Sequence, residues 1–311
     1  MTVDYLKDEQ WSRSDRASKS DIRVGRINSK HMNVATRTRQ LLERGGPLAV
    51  CKGALRFLYW HSGLRSARYA LGYRLFGTPV SSTVEGVTAT FDVSTPQEYA
   101  RNTTLHGERP VIADLLRTLG EDDVLYDIGA NVGTYTCFAG QRLESGTVVA
   151  FEPHPGNVRR LRDNTGKNEV ETDVRSVALS NTQGTDQLDL SGDDGAAGAG
   201  THSLTTDGNQ GTIEVEIIEG DRLINDAEVP PPSVLKIDVE GAEQLVLEGL
   251  SDTLESGGCH TVYCEVHPDR ISEFGGSVEA LRELLESSGY SLQRIADRSP
   301  EYFLKATLAA E

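Results

Sequence analysis

The stretch VLYDIGANVGTYTCFAG, residues 124–140, decides how this chain folds. An apolar run typical of a strand ends in Asp127, breaks at Gly129 and Gly133, and continues with a helical pattern. Glycine allows a tight turn between a strand and a helix, and ligands of open α/β sheets bind at the carboxyl ends of the strands. The stretch therefore predicts a ligand held close to the backbone at this turn.

Strand and helix patterns alternate on both sides of this stretch. Such alternation is typical of a mostly parallel sheet with helices on both faces. We therefore predict an α/β, Rossmann-like fold that closes with an antiparallel hairpin at the sheet edge. The strands are predicted at 83–93 (a strand pair), 147–151, 173–178, 233–239, 260–266, 290–296 and in the final EYFLKATLA run.

The residues after the second central strand narrow the choice of ligand. Glu152 lies 19 residues beyond Gly133, where a carboxylate can accept hydrogen bonds from two ribose hydroxyls. Dinucleotide sites have a middle glycine that admits the pyrophosphate, and here that position is Asn131. A ligand without pyrophosphate that carries an ammonium and a carboxylate suits Asp127 and the backbone N–H groups. S-adenosylmethionine (SAM) fits this description, and a nicotinamide-dependent oxidoreductase is the weaker alternative.

Four segments together resemble the FkbM-type SAM-dependent methyltransferases. The resemblance covers about residues 95–270 and implies a seven-stranded class I methyltransferase fold with SAM as the methyl donor. It also implies an oxygen acceptor on a sugar or natural-product scaffold. The segments are DIGANVGTYT (127–136), AFEPHPGNVRRLRDN (150–164), LKIDVEGAEQLVLEGL (235–250) and CEVH (264–267).

The residues expected to bind SAM lie at the ends of the predicted strands and in the glycine turn. They are Glu108, Asp127, Gly129, Asn131, Gly133, Thr134, Glu152, Ala178 and Asp238.

Candidate catalytic residues follow two later strands. Asp238 and Glu240 belong to KIDVEGAE, and His267 ends CEVH. Histidine titrates near neutrality, so His267 is the candidate base for an acceptor proton. Glu240 could accept hydrogen bonds from acceptor hydroxyls, whereas Glu243 fits an acid at a helix N-terminus.

A lysine within the same motif needs a partner if it is buried. We expect Lys236 to pair with Glu265 on the neighbouring strand. Asp238, Glu240, Glu265 and His267 could also form an oxygen-rich divalent site. No Cys/His spacing supports a metal, so none is expected.

The charge distribution divides the chain. Residues 1–80 contain 15 of the 31 Lys and Arg residues but only 6 of the 47 Asp and Glu residues. We predict a disordered polar tail over 1–35, a basic amphipathic helical extension over 36–80, and a methyltransferase domain over 81–311. The acidic domain that carries the site makes nucleic acid an unsuitable partner.

The extension suggests a second kind of contact. Arginines alternate there with apolar residues, including Phe57, Tyr59 and Trp60, as in helices that lie on anionic membranes. The alternative for residues 36–78 is docking on the acidic domain, and a non-catalytic scaffold with a SAM fold also stays open. The sequence shows no apolar signal-peptide core and no CxxC pair. We therefore expect a cytoplasmic protein that acts on a small-molecule or glycan acceptor, with peripheral membrane attachment left open.

Overall fold

The computed structural model describes residues 64–190, 203–205 and 211–309. Its helices are α1 Leu64–Phe76, α2 Pro96–Thr104, α3 Arg109–Thr118, α4 Thr134–Gly140, α5 Pro155–Lys167, α6 Gly220–Asn225, α7 Glu243–Glu248, α8 Ser251–Glu255 and α9 Val278–Ser287. Its strands are β1 Val80–Val84, β2 Val87–Phe91, β3 Val124–Ile128, β4 Thr147–Phe151, β5 Thr172–Arg175, β6 Ala178–Ser180, β7 Gly184–Asp189, β8 Ser203–Thr205, β9 Thr212–Glu219, β10 Val234–Ile237, β11 Thr261–Val266, β12 Tyr290–Asp297 and β13 Tyr302–Leu308. Two 3-10 turns span Leu105–Gly107 and Ile271–Phe274.

Seven strands form the central sheet in the order β12-β13-β11-β10-β3-β4-β5. Five neighbouring strands of this sheet, β11, β10, β3, β4 and β5, run parallel. Strand β13 lies between β11 and β12 and is antiparallel to both. This is the class I methyltransferase topology, so the predicted fold and its terminal hairpin are confirmed.

The middle of the sheet is buried on both faces, as parallel sheets require. Every residue of β10 and β11 is buried. Side chains alternate between two cores: Leu125 belongs to the core that includes residues of α3 and α4, whereas Tyr126 and Ile128 belong to the core that includes residues of α7 and α9. A charged side chain on β3 or β10 is therefore enclosed and must find its partner within the sheet.

Four further strands form a second sheet in the order β6-β9-β7-β8. The single strand predicted over 173–178 is wrong, because β5 ends at Arg175 and β6 begins at Ala178 in this other sheet. There β6 pairs with β9, which β7 joins in antiparallel register. The switch of sheets places Ala178 beside the ends of the central strands.

The N-terminal part of the described chain packs on the central unit. Residues Leu64–Glu311 form one compact unit that includes α1 and the β1–β2 hairpin. The predictions for residues 1–63, with Phe57, Tyr59 and Trp60, fall outside the described residues. Among the described helices, none has the length and apolar character needed to cross a bilayer.

Candidate active site

The glycine turn between β3 and α4 is forced by its protein neighbours. Gly129 and Gly133 have φ of 73° and 86°, which side-chain-bearing residues rarely adopt. A Cβ at Gly129 would overlap the carbonyl oxygen of Asp238, and one at Gly133 would lie 3.0 Å from Leu161 Cδ1. Gly129 was assigned from the sequence to a closely approaching ligand; the backbone of Asp238, just after β10, requires the glycine as well, and a ligand at Gly129 stays a prediction.

Lys236 lies beneath this turn, with only 3% of its side chain exposed. Its Nζ donates to the carbonyl oxygen of Gly129 at 2.9 Å and lies 3.2 Å from Asp127 Oδ1. The predicted pairing with Glu265 is wrong for a reason of register. In the sheet register, Lys236 pairs with Asp127 on β3 and with Tyr263 on β11. Glu265 lies two residues further along β11.

The surrounding acids keep this lysine charged. Burial lowers the pKa of Lys236, but the charges of Asp127, Asp238 and Glu108 outweigh that effect and raise it. Asp127 Oδ2 in turn accepts from the Thr136 N–H at 3.0 Å and from its hydroxyl at 2.6 Å. Asp127, predicted to touch SAM, is thus fully buried and engaged with protein groups.

A first cavity of about 690 Å³ opens on the β4 side of the turn. Glu152 lines it and accepts from the backbone N–H groups of Asn131 at 2.8 Å and His154 at 2.9 Å. Burial raises the pKa of Glu152, and these N–H donors act to lower it. The other walls include apolar side chains and several of the residues predicted for SAM, namely Phe151, Val177, Leu188, Gly129, Asn131, Ala178 and Asp238.

A second cavity of about 1030 Å³ adjoins the first. The two cavities share Gly129, Asn131, Asp238 and Glu240, so they lie side by side at the carboxyl ends of the strands, and we call them together the cleft. The second cavity also brings together the remaining predicted residues Glu108, Thr134 and His267. Gly133 and Asp127 line neither cavity.

His267 is oriented by a glutamate that the sequence argument placed only at a helix end. Its Nδ1 lies 2.6 Å from Glu243 Oε1, and its Nε2 lies 3.5 Å from Glu240 Oε2 at the cavity. Burial lowers the pKa of His267, but the hydrogen bond and charge of Glu243, together with Asp238 and Glu240, raise it to about 9. Glu243 does begin α7, as predicted, and it also fixes the orientation of the imidazole.

Glu240 and Asp238 complete this cluster. Glu240 has a φ of 56° and accepts from Arg270 Nη1 at 2.6 Å. Single atoms of Asp238, Glu240 and His267 lie within 4.8 Å of one another, a spacing that a metal ion could also occupy. Arg270 and the imidazolium already offset the two carboxylates, and the absence of a resident metal stays a prediction.

Sequence reasoning missed Arg298, which reaches the second cavity from the turn between β12 and β13. Its Nη1 donates to Glu265 at 2.8 Å and to Glu108 at 3.1 Å, and its Nη2 lies 2.9 Å from His106 Nδ1. Burial, Asp238 and Glu108 raise the pKa of Glu265, and Arg298 opposes them. No local motif marks Arg298, because its partners lie more than 30 residues away in sequence.

Replacing Lys236 with methionine should destabilise the protein by about 3–5 kcal/mol, because Asp127 would be left as an unpaired buried charge. Lys236→Met combined with Asp127→Asn should recover part of that loss. Urea unfolding measures both free energies.

Lys167→Met is the matched control, since Lys167 forms a partly exposed pair with Asp92 at 3.1 Å. Its cost should stay below about 1 kcal/mol. If Lys236→Met cost no more than this control, the buried pair would not hold the turn.

Comparison with known proteins agrees with this geometry. The "Methyltransferase FkbM domain" matches residues 127–292. Hexuronic acid methyltransferase AglP of Haloferax volcanii is 36% identical over 190 residues, which are 61% of this chain and 75% of that protein. The 31-O-demethyl-FK506 methyltransferase FkbM of Streptomyces tacrolimicus is 28% identical over 204 residues, 57% of this chain and 75% of that protein.

Solved structures with a similar arrangement are distant in sequence. Methyltransferase FkbM from Methylobacillus flagellatus aligns with a TM-score of 0.43 at 13% identity, covering 68% of this chain and 53% of that one. Magnesium protoporphyrin IX methyltransferase from Synechocystis with bound SAM aligns with a TM-score of 0.43 at 13% identity, covering 83% of this chain and 97% of that one.

Proposed function

Since this chain belongs to the FkbM methyltransferase family and uses SAM, we propose that it methylates an oxygen of a saccharide or related acceptor. The observation that carries this proposal is the meeting of Asp238, Glu240 and His267 in a cavity that adjoins the glycine turn. Carboxylates are strong acceptors for the hydroxyls of a sugar. The relative named a hexuronic acid methyltransferase makes hexuronic acid residues the first acceptors to test. Family membership also removes the reason for considering a nicotinamide-dependent oxidoreductase.

The cleft offers matching groups for each part of SAM. Glu152 Oε1 accepts from His154 and Asn157, whereas Oε2 accepts from Asn131 alone and keeps a lone pair for a ribose hydroxyl. Phe151, Val177 and Leu188 offer apolar walls for the base. Glu108, at the edge of the second cavity, suits the ammonium of the methionine part. When bound, SAM supplies a methyl group that its sulfonium has already activated.

Residues of the chain then orient the acceptor and take up its proton. Asp238 and Glu240 accept hydrogen bonds from its hydroxyls and so orient the reacting oxygen. His267 Nε2, once neutral, accepts the proton of that oxygen, and Glu243 stabilises the imidazolium that results. Asp127 and Lys236 act indirectly, by holding the turn on which the donor lies.

Mass spectrometry tests the proposed acceptor class. The full-length protein is incubated with SAM carrying a deuterated methyl group and with oligosaccharides that do or do not contain hexuronic acid. We expect one labelled methyl on the hexuronic acid compounds. Alkaline hydrolysis then separates a methyl ester, which is lost, from a methyl ether, which is kept. SAM binding without methylation of any saccharide would contradict the proposed acceptor class.

Glu152→Ala should weaken SAM binding at least about tenfold, because hydrogen bonds to a charged group contribute roughly 1.5–3 kcal/mol each. Isothermal titration calorimetry measures the affinity. Glu171→Ala removes an exposed acid outside the cleft and should leave it unchanged. Equal affinities for the two variants would rule out Glu152 as the ribose ligand.

The activity should depend on pH through His267. With its pKa raised to about 9, the imidazole is protonated at neutral pH, so kcat/KM should rise with pH up to that value. Glu243→Gln removes the charge that raises the pKa of His267. The rising limb of the pH–rate profile should therefore move to lower pH.

Glu279→Gln, an exposed change on α9, should leave the profile in place. A limb that does not move in Glu243→Gln would show that a group other than His267 takes the proton.

A further inference from the structure

Helix α1 has an apolar side that no described part of the chain covers. Leu71, Leu75 and Phe76 are 56%, 66% and 77% exposed, and they are the exposed large hydrophobic side chains of the described residues. Leu71 and Leu75 are four residues apart and therefore lie on one face of the helix. We call Leu71 and Leu75 the apolar face of α1. Phe76 ends the helix four residues after Gly72 and three after Tyr73, and therefore lies on their side.

The opposite side of α1 fixes the helix to the methyltransferase unit. The ring of Tyr73 contacts that of Tyr99 on α2, with 6.3 Å between centroids, and its hydroxyl donates to the Ser94 carbonyl oxygen at 2.9 Å. Gly72 lies directly against the Tyr99 ring, where a Cβ would crowd it. The helix is therefore held with its apolar face turned outward.

The charges around the apolar face indicate what it contacts. The helix LRSARYALGYRLF contains arginines, two of them the exposed Arg68 and Arg74, and no acid. Residues 1–80 as a whole carry 15 basic and 6 acidic side chains. Apolar side chains flanked by arginines fit a surface that is apolar inside and anionic outside, which is the surface of an anionic bilayer.

A second copy of the chain fits this face less well. Its acidic surface would suit the arginines, but among the described residues only α1 exposes large hydrophobic side chains. Pairing two apolar faces would bring the arginines of both helices together. An anionic bilayer can therefore contact both the arginines and the apolar face of α1, whereas a second copy of the chain would suit only one of them.

The apolar face is separated from the second cavity by one helix. Tyr99 on α2 contacts α1, while Arg101 and Asn102 of the same helix line the cavity, followed by Leu105 and His106. A surface that binds α1 is therefore next to the element that forms the cavity wall. An acceptor carried on a lipid would reach the cavity from that surface.

We propose that α1 is a membrane-docking helix whose apolar face inserts into an anionic bilayer, next to the cavity that receives a lipid-carried saccharide. Only the last part, the nature of the acceptor, rests on the proposed function. Insertion is shallow, since α1 lies on the bilayer and does not cross it.

Vesicle flotation of the full-length protein tests the proposal. Wild type should float with vesicles of phosphatidylcholine and phosphatidylglycerol, and far less with phosphatidylcholine alone. Leu71→Ser/Leu75→Ser should reduce binding to the anionic vesicles at least about tenfold. Ala70→Ser, at an exposed position of the same helix that lies off the apolar face, is the matched control and should bind as wild type does.

Two further measurements distinguish a loss of vesicle binding from a loss of folding or of SAM binding. Circular dichroism and SAM affinity should be equal in all three proteins, because α1 does not line the first cavity. Equal vesicle binding by the double variant and wild type would overturn the proposal, as would an α1-dependent dimer that does not bind vesicles. Vesicle binding that depends on the apolar face, without methylation of any saccharide, would leave the docking helix standing and contradict the acceptor alone.

Discussion

A buried lysine connects the glycine turn with the end of the neighbouring strand. Lys236 Nζ contacts the Gly129 carbonyl oxygen in the turn and Asp127 on β3, and it lies 3.9 Å from Oδ2 of Asp238, which directly follows β10. Because an unpaired buried charge is costly, these groups hold one another in a single arrangement. The glycine turn and the end of β10 are thereby fixed at one distance, which is what an aligned methyl transfer would require if the donor and the acceptor bind where we propose.

The spacing within KIDVEGAE follows from this arrangement. Strand alternation puts Lys236 and Asp238 on one face of β10, the first enclosed and the second at the cavity. The chain then turns at Glu240 and Gly241, both with positive φ, and starts α7 with Glu243. The turn directs Glu240 into the cavity, and Glu243 is left buried against His267. One short segment thus supports the glycine turn, lines the second cavity and orients the His267 imidazole.

Much of the fold could be predicted from the sequence, because hydrophobic periodicity and glycine positions are local signals. The alternating strands, the turn at Gly129 and the final hairpin depend on such signals. The partner of Lys236 could not be predicted, since β10 has a neighbour on each side and only the register selects Asp127 over Glu265. The strand break near Val177 is a tertiary effect, because the chain changes sheets without a turn signal.

The sequence predicted which strand ends contribute residues to the site, but it did not predict which side chains contact one another there. Glu152, Asp238, Glu240 and His267 follow predicted strands, and the structure brings all of them to one cleft. Arg298 and the contact between Glu243 and His267 depend on distant or enclosed side chains that no spacing reveals. Asp127 was predicted to contact SAM, but it is fully buried and its carboxylate contacts protein groups.

The central claim is that one cleft holds the donor on the Glu152 side and the acceptor on the His267 side. A crystal structure of the full-length protein with S-adenosylhomocysteine tests it most directly. The account predicts the ribose at Glu152 and the sulfur at the junction of the two cavities, facing Asp238, with Lys236 still on Asp127. A ribose in the second cavity, or a sulfur turned away from Asp238 and His267, would contradict it.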